Sequence, residues 1–213
     1  TQGRPGGLYL SASGRDGAVG SDAAEFTVSG GAAKAAASSG VDVEQMVSRL
    51  SKLLNPAMPI LSVKLPFKDQ TLTVDFDGVL PKVVLVCLSS THRRARMAAG
   101  EWLHAVVVYV VGTLAFRAAS DGVAAAGAPS HPFAPLLAEL LPVVVALSAS
   151  IDAVTQKLFM TLSLQLARWF AQQSSRSGGG GAAAYLDAII AALANPSSSL
   201  LTAATECLSV YVG

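Results

Sequence analysis

The chain has 213 residues, 52% of them hydrophobic and 14% charged, enough apolar material to bury a real core in one domain or part of one. A formal net charge of +1 excludes a global field that draws the molecule to polyanions, so any attraction to nucleic acid or lipid has to come from a local cluster. Two distant cysteines, Cys87 and Cys207, supply neither a disulfide framework nor metal-ligand spacing; no cofactor is expected, and a reducing compartment is the default.

Residues 1–40 hold nine of the 19 glycines among many alanines and serines, a composition that cannot repay its ordering entropy by burial, and a disordered, low-complexity segment is expected there. From Val41 to Leu54, VDVEQMVSRLSKLL places Val43, Met46/Val47, Leu50 and Leu53/Leu54 at helical spacing before Asn55-Pro56 ends the helix. Residues 60–76 alternate like a strand pair around Lys68-Asp69-Gln70, with Pro66 weakening the first strand. Residues 41–77 are therefore taken as one helix plus an irregular insertion. Asp75-Phe76-Asp77-Gly78 resembles a kinase metal-binding DFG but lacks every companion motif and reads as a turn.

From residue 78 to 213 the sequence repeats. LPKVVLVCLSSTHRRARM (Leu80–Met97) aligns with LPVVVALSASIDAVTQKL (Leu141–Leu158) at an offset of 61, and a weaker copy beginning at Leu193 follows at 46. The difference equals the insertion Arg117–His131, and a period near 46 lies in the roughly 40–47-residue range of HEAT and armadillo repeats. The predicted fold is all-α: a HEAT/armadillo-like α-solenoid fragment of helix pairs. Each second helix opens on a polar cap at Thr91, Asp152 or Ser197–Ser199, and Pro81 and Pro142 sit early in the first helices. SGGGGAAAYL, from Ser177, reads as a connector, having no strand before it to make a nucleotide-binding loop.

The stretch Trp102–Phe116 carries no charged side chain other than His104, but its fifteen residues fall short of the roughly 20 needed to span a bilayer, and no membrane partner is expected. Val106–Val111 is apolar all round, which predicts a helix enclosed between neighbouring repeats. In its companion, Val154, Leu158, Leu162, Leu166 and Trp169 are expected to face the core, with Gln156, Lys157, Thr161, Arg168 and Gln172 wet. Arg93, Arg94 and Arg96 lie in the first turn of the helix, against the macrodipole. They are candidates for an anion, DNA or partner contact, and the simpler reading pairs them with acids of the preceding repeat. The histidines find no nucleophile or carboxylate at a catalytic spacing, and no P-loop, GxSxG or HExxH occurs. No catalytic or metal residue is assigned. A start at Thr1 and a stop at Gly213, just past an apolar stripe, suggest a piece of a longer polypeptide.

Residues 79–211 carry a resemblance in ordered words: ARMAAGEWLHAVVVYVVG, then DAVTQKLF with LQLARWF, then LDAIIAAL with SSSL. In this order they are similar to the N-terminal HEAT-repeat region of the phosphatidylinositol-3-kinase-related kinases, in the branch that acts in DNA end joining. The resemblance implies a very large nuclear serine/threonine kinase as parent, brought to DNA ends by the Ku heterodimer in non-homologous end joining. This stretch would then be scaffold, packed against neighbouring HEAT repeats of the same chain, with the kinase domain far downstream. The family tends to place an acid before the arginine opening the helix near Thr91, where this sequence has His92 and two arginines. A HEAT-repeat scaffold of another kind, a transport or assembly adaptor, is the alternative, because packing words recur among solenoids.

Overall fold

In the computed structural model, which describes residues 42–54, 61–64, 71–74, 76, 78–120, 133–176 and 180–213, the amphipathic stretch after Asp42 forms helix α1 (Val43–Leu54). Asp42 opens it, its carboxylate accepting the Gln45 amide at 3.1 Å, and Val43, Met46, Leu50 and Leu54 are buried at the 3–4-residue spacing read from the sequence. The alternating segment forms β1 (Leu61–Lys64) and β2 (Thr71–Val74), antiparallel with Leu61 opposite Val74 and Lys64 opposite Thr71. Phe76 and Val79 close the expected turn, the Leu80 amide reaching the Phe76 carbonyl at 2.9 Å. Phe76 itself is buried edge-on against Trp102, ring centroids 6.3 Å apart. The glycine-rich segment expected in residues 1–40 lies outside the described residues.

The rest is helical: α2 (Leu80–Ser89), α3 (Arg93–Ser120), α4 (Phe133–Ser148), α5 (Ala153–Arg176), α6 (Gly180–Leu193) and α7 (Ser198–Val212). They pack as pairs, α2 on α3, α4 on α5 and α6 on α7. Across pairs α4 meets α6, while α3 meets α5 and α5 meets α7, so first and second helices build the two layers of a helical-repeat solenoid. Helix α1 lies against α2 and α4, where Arg49 Nε comes 3.4 Å from Glu139 Oε2.

The core runs along α4, which touches α1, α3, α5, α6 and α7 and buries every residue from Val143 to Ser148. Each buried Leu or Val there contributes about 1.5–3 kcal/mol by removal from water. The enclosed helix is therefore α4, a correction to the expectation for α3. In α3 Gly100, Leu103, Val106, Val107 and Val110 are buried, while Val108 and Tyr109 are more than two-fifths exposed and Phe116 is 76% exposed. Helix α3 is also longer than the apolar run suggests: Arg93–Phe116, 24 residues, reaches the length and composition of a bilayer span.

Three further expectations shift. The buried stripe of α5 is Thr155, Phe159, Leu162, Leu166 and Phe170, which leaves Val154 half exposed. The aromatics decide it, because Phe159 meets His104 edge-on at 6.1 Å and Phe170 stacks on Tyr185 at 5.1 Å, while Leu158 and Trp169 pack part-buried against the same core. Pro81 starts α2 as read, but Pro142 lies inside α4, nine positions beyond its first residue. Gly180 and Gly181 open α6 instead of connecting to it, with Gly181 so close to Phe170 that an added Cβ would meet its ring at 3.1 Å.

Candidate functional site

The short links between the helices of each pair lie along one edge of the solenoid, and one hydrogen-bond pattern closes all three. Ser90 Oγ accepts the His92 amide at 3.2 Å, Ser150 Oγ accepts the Asp152 amide at 3.2 Å, and Asn195 Oδ1 accepts the Ser197 amide at 2.9 Å. A short polar side chain that captures the amide two residues on is the local device that stops one helix and aims the next. In each turn the following residue then opens the second helix, its carbonyl accepting the amide four residues later: His92 from Arg96, Asp152 from Gln156, Ser197 from Leu201. These equivalences set the repeat offsets at 60 and 45, one residue less than the sequence words suggest. The turn chemistry, and not the Leu-Pro pair, holds the true register. Polar residues after an apolar run were the available signal.

The caps of the three second helices differ. Asp152 Oδ2 accepts the Thr155 amide at 3.1 Å and its hydroxyl at 3.0 Å. Thr91 makes no such bond, the first residue in its turn being His92, and Ser197 caps nothing, its hydroxyl lying 3.1 Å from that of Ser199.

The three arginines have three different fates. Arg93 Nε donates to Asp152 Oδ1 at 2.7 Å, so the cluster does pair with an acid, but on the following repeat instead of the preceding one. Arg96 Nη1 donates to the Ser90 carbonyl at 2.6 Å and seals the end of α2. Arg94 is exposed and makes no hydrogen bond or ion pair to the described residues. The Thr155 amide, and after it the Arg93 guanidinium, hold the Asp152 carboxyl below its ordinary value of 3.8. Between the turns lies a groove of about 390 Å³, with Leu88, Leu147 and Leu200 on its floor and Arg96, Ser197 and Ser199 among its walls.

Among the described residues the other reactive side chains are not gathered into a catalytic arrangement. Burial lowers the pKa of His104, whose ring packs on Phe159, and His131 lies outside the described residues. Both cysteines are free and buried, which pushes the Cys87 thiol up to about 12 and that of Cys207 up to about 11. Among the described residues no three of His, Cys, Asp and Glu stand close enough to hold a metal ion. This chemistry positions helices and presents a surface.

Repeated helix pairs on one continuous core, with one turn chemistry, define a segment of a helical-repeat solenoid. A family model described as "DNA-dependent protein kinase catalytic subunit, CC1/2" matches residues 131–212. The DNA-dependent protein kinase catalytic subunit of Gallus gallus is 30% identical over 141 residues, covering 66% of this chain and 3% of that protein. Its counterparts in Dictyostelium discoideum and Mus musculus are each 29% identical, over 139 and 141 residues, covering 65% and 66% of this chain and 3% of each relative. The chain is similar to DNA-dependent protein kinase catalytic subunits over about two-thirds of its length, and it spans about 3% of the length of the curated relatives it matches.

Proposed function

We propose that this chain is a non-catalytic scaffold segment of a nuclear serine/threonine kinase that acts at DNA double-strand breaks in non-homologous end joining. The carrying observation is likeness to DNA-dependent protein kinase catalytic subunits from Dictyostelium discoideum to Gallus gallus, over about two-thirds of this chain and across successive helix pairs. In this reading residues 78–213 supply helical-repeat surface, further repeats of the parent pack against it, and the Ku heterodimer and DNA ends are met by the parent as a whole. Phosphoryl transfer belongs to a kinase domain elsewhere in the parent. No membrane takes part. Of the three arginines, Arg94 is the one whose guanidinium is available to a phosphate or a partner without first breaking an internal bond; Arg93 and Arg96 would have to share theirs.

The parent's open reading frame tests the proposal. A C-terminal kinase domain carrying HRD and DFG motifs, with peptide phosphorylation stimulated by blunt DNA ends plus Ku and none by the 213-residue chain alone, supports it. A frame that continues in helical repeats without a kinase domain overturns it in favour of an adaptor scaffold.

A further inference from the structure

The groove at the turn edge combines an apolar floor with a cationic surround. Leu88, Leu147 and Leu200, one from each helix pair, meet at its base. Ile151 stands on its lip fully exposed. Arg96 lines the groove and shares the first turn of α3 with Arg93 and Arg94, against a single lining carboxylate, Asp152, already engaged by Arg93 and Thr155. None of α3, α5 and α7 has an acid in its first turn, and only α5 has a carboxylate cap, Asp152, so the positive ends of α3 and α7 open on this edge without a capping acid. Ser197 makes no capping bond, so the leading amides of α7 are left without one beside the groove wall formed by Ser197 and Ser199.

Charge alone would suit a nucleic-acid backbone, but a duplex has nothing to place on the Leu88–Leu147–Leu200 floor or against Ile151. A polypeptide offers carboxylates and apolar side chains together. The spacing also suits one. Packed helices lie about 8–10 Å apart and an extended chain advances about 3.3 Å per residue, so a strand crossing the edge presents roughly every third side chain to successive turns.

We propose that the turn edge is a docking groove for an extended acidic segment of a partner protein. An apolar side chain of the segment enters between Leu88, Leu147 and Leu200, and flanking carboxylates meet Arg96 and the uncapped amides of α7. This goes beyond the scaffold proposal and stands without it, since it uses only this chain's surface.

The test uses the full 213-residue chain and a fluorescein-labelled peptide of repeated Glu-Asp-Leu, long enough to cross the three turns, read by anisotropy. Binding that weakens with added salt is expected, and it should fall about tenfold or more in Ser199→Glu and in Ile151→Asp. Both positions are exposed, and an acid in the first turn of α7 favours that helix, so both variants keep or raise the Tm and lost binding cannot be ascribed to unfolding. The proposal is overturned by the absence of binding, by equal binding of a Gln-Asn-Leu peptide, by variants that bind like the parent chain, or by a labelled DNA duplex binding more tightly in the same salt. None of these outcomes bears on whether the parent is an end-joining kinase.

Discussion

Asp152 does two jobs with one carboxylate: Oδ2 opens α5 and Oδ1 ties the α4–α5 turn to Arg93, 59 residues earlier. The first job was legible, because an acid between an apolar run and a helical stripe is a helix opener. The second was not, because nothing local encodes which repeat an arginine leans toward. Since the native carboxyl titrates below its ordinary value, the stabilisation it gives is complete above pH 4 or so and lost as pH falls through the lower native value. Thermal melts of Asp152→Ala should therefore show a Tm deficit at neutral pH that closes in acid; a gap constant with pH would assign the loss to packing. The cysteines give a second expectation. With both thiols buried and their pKa raised, Ellman's reagent should label neither in the native chain at neutral pH and both after denaturation.

At the scale of the element, hydrophobic pattern located the helices better than it chose their faces. In α5 the stripe through Val154, Leu158 and Trp169 and the stripe through Phe159 and Phe170 are both apolar, and only the neighbours, His104 on one side and Tyr185 on the other, decide between them. Phe159→Ala should accordingly cost about 3–5 kcal/mol in denaturant unfolding, and Val154→Ala much less. Helix α3 carries a separate cost in Gly112, whose added Cβ would meet no atom within 4 Å. Gly112→Ala should raise stability by about 0.5–1 kcal/mol, and a loss instead would mean that something covers this exposed stripe in solution.

For the whole molecule, the helical-repeat architecture and the likeness to DNA-dependent protein kinase catalytic subunits were both legible, because helix pairs recur at an interval that is constant apart from one insertion and their packing words keep the relatives' order. The register was legible only to within one residue, since a proline that starts α2 sits inside α4 and misleads the alignment. Membrane insertion is the reading most exposed to test, α3 being long and apolar enough for it. With Leu103, Val107 and Val110 fully buried and the N-terminal end tied by Arg93 to Asp152, the chain should stay in the aqueous phase of a detergent phase-separation assay; recovery in the detergent phase would place α3 in lipid. The three sealed turns have one more consequence, which concerns where the gene can change length. Each is closed by a bond to the amide two residues on, so a residue added or removed there breaks that bond, whereas twelve residues of sequence separate the end of α3 at Ser120 from the start of α4 at Phe133. Insertions and deletions inherited between those two helix ends leave the three closed turns, and with them the pairing of the helices, as they were.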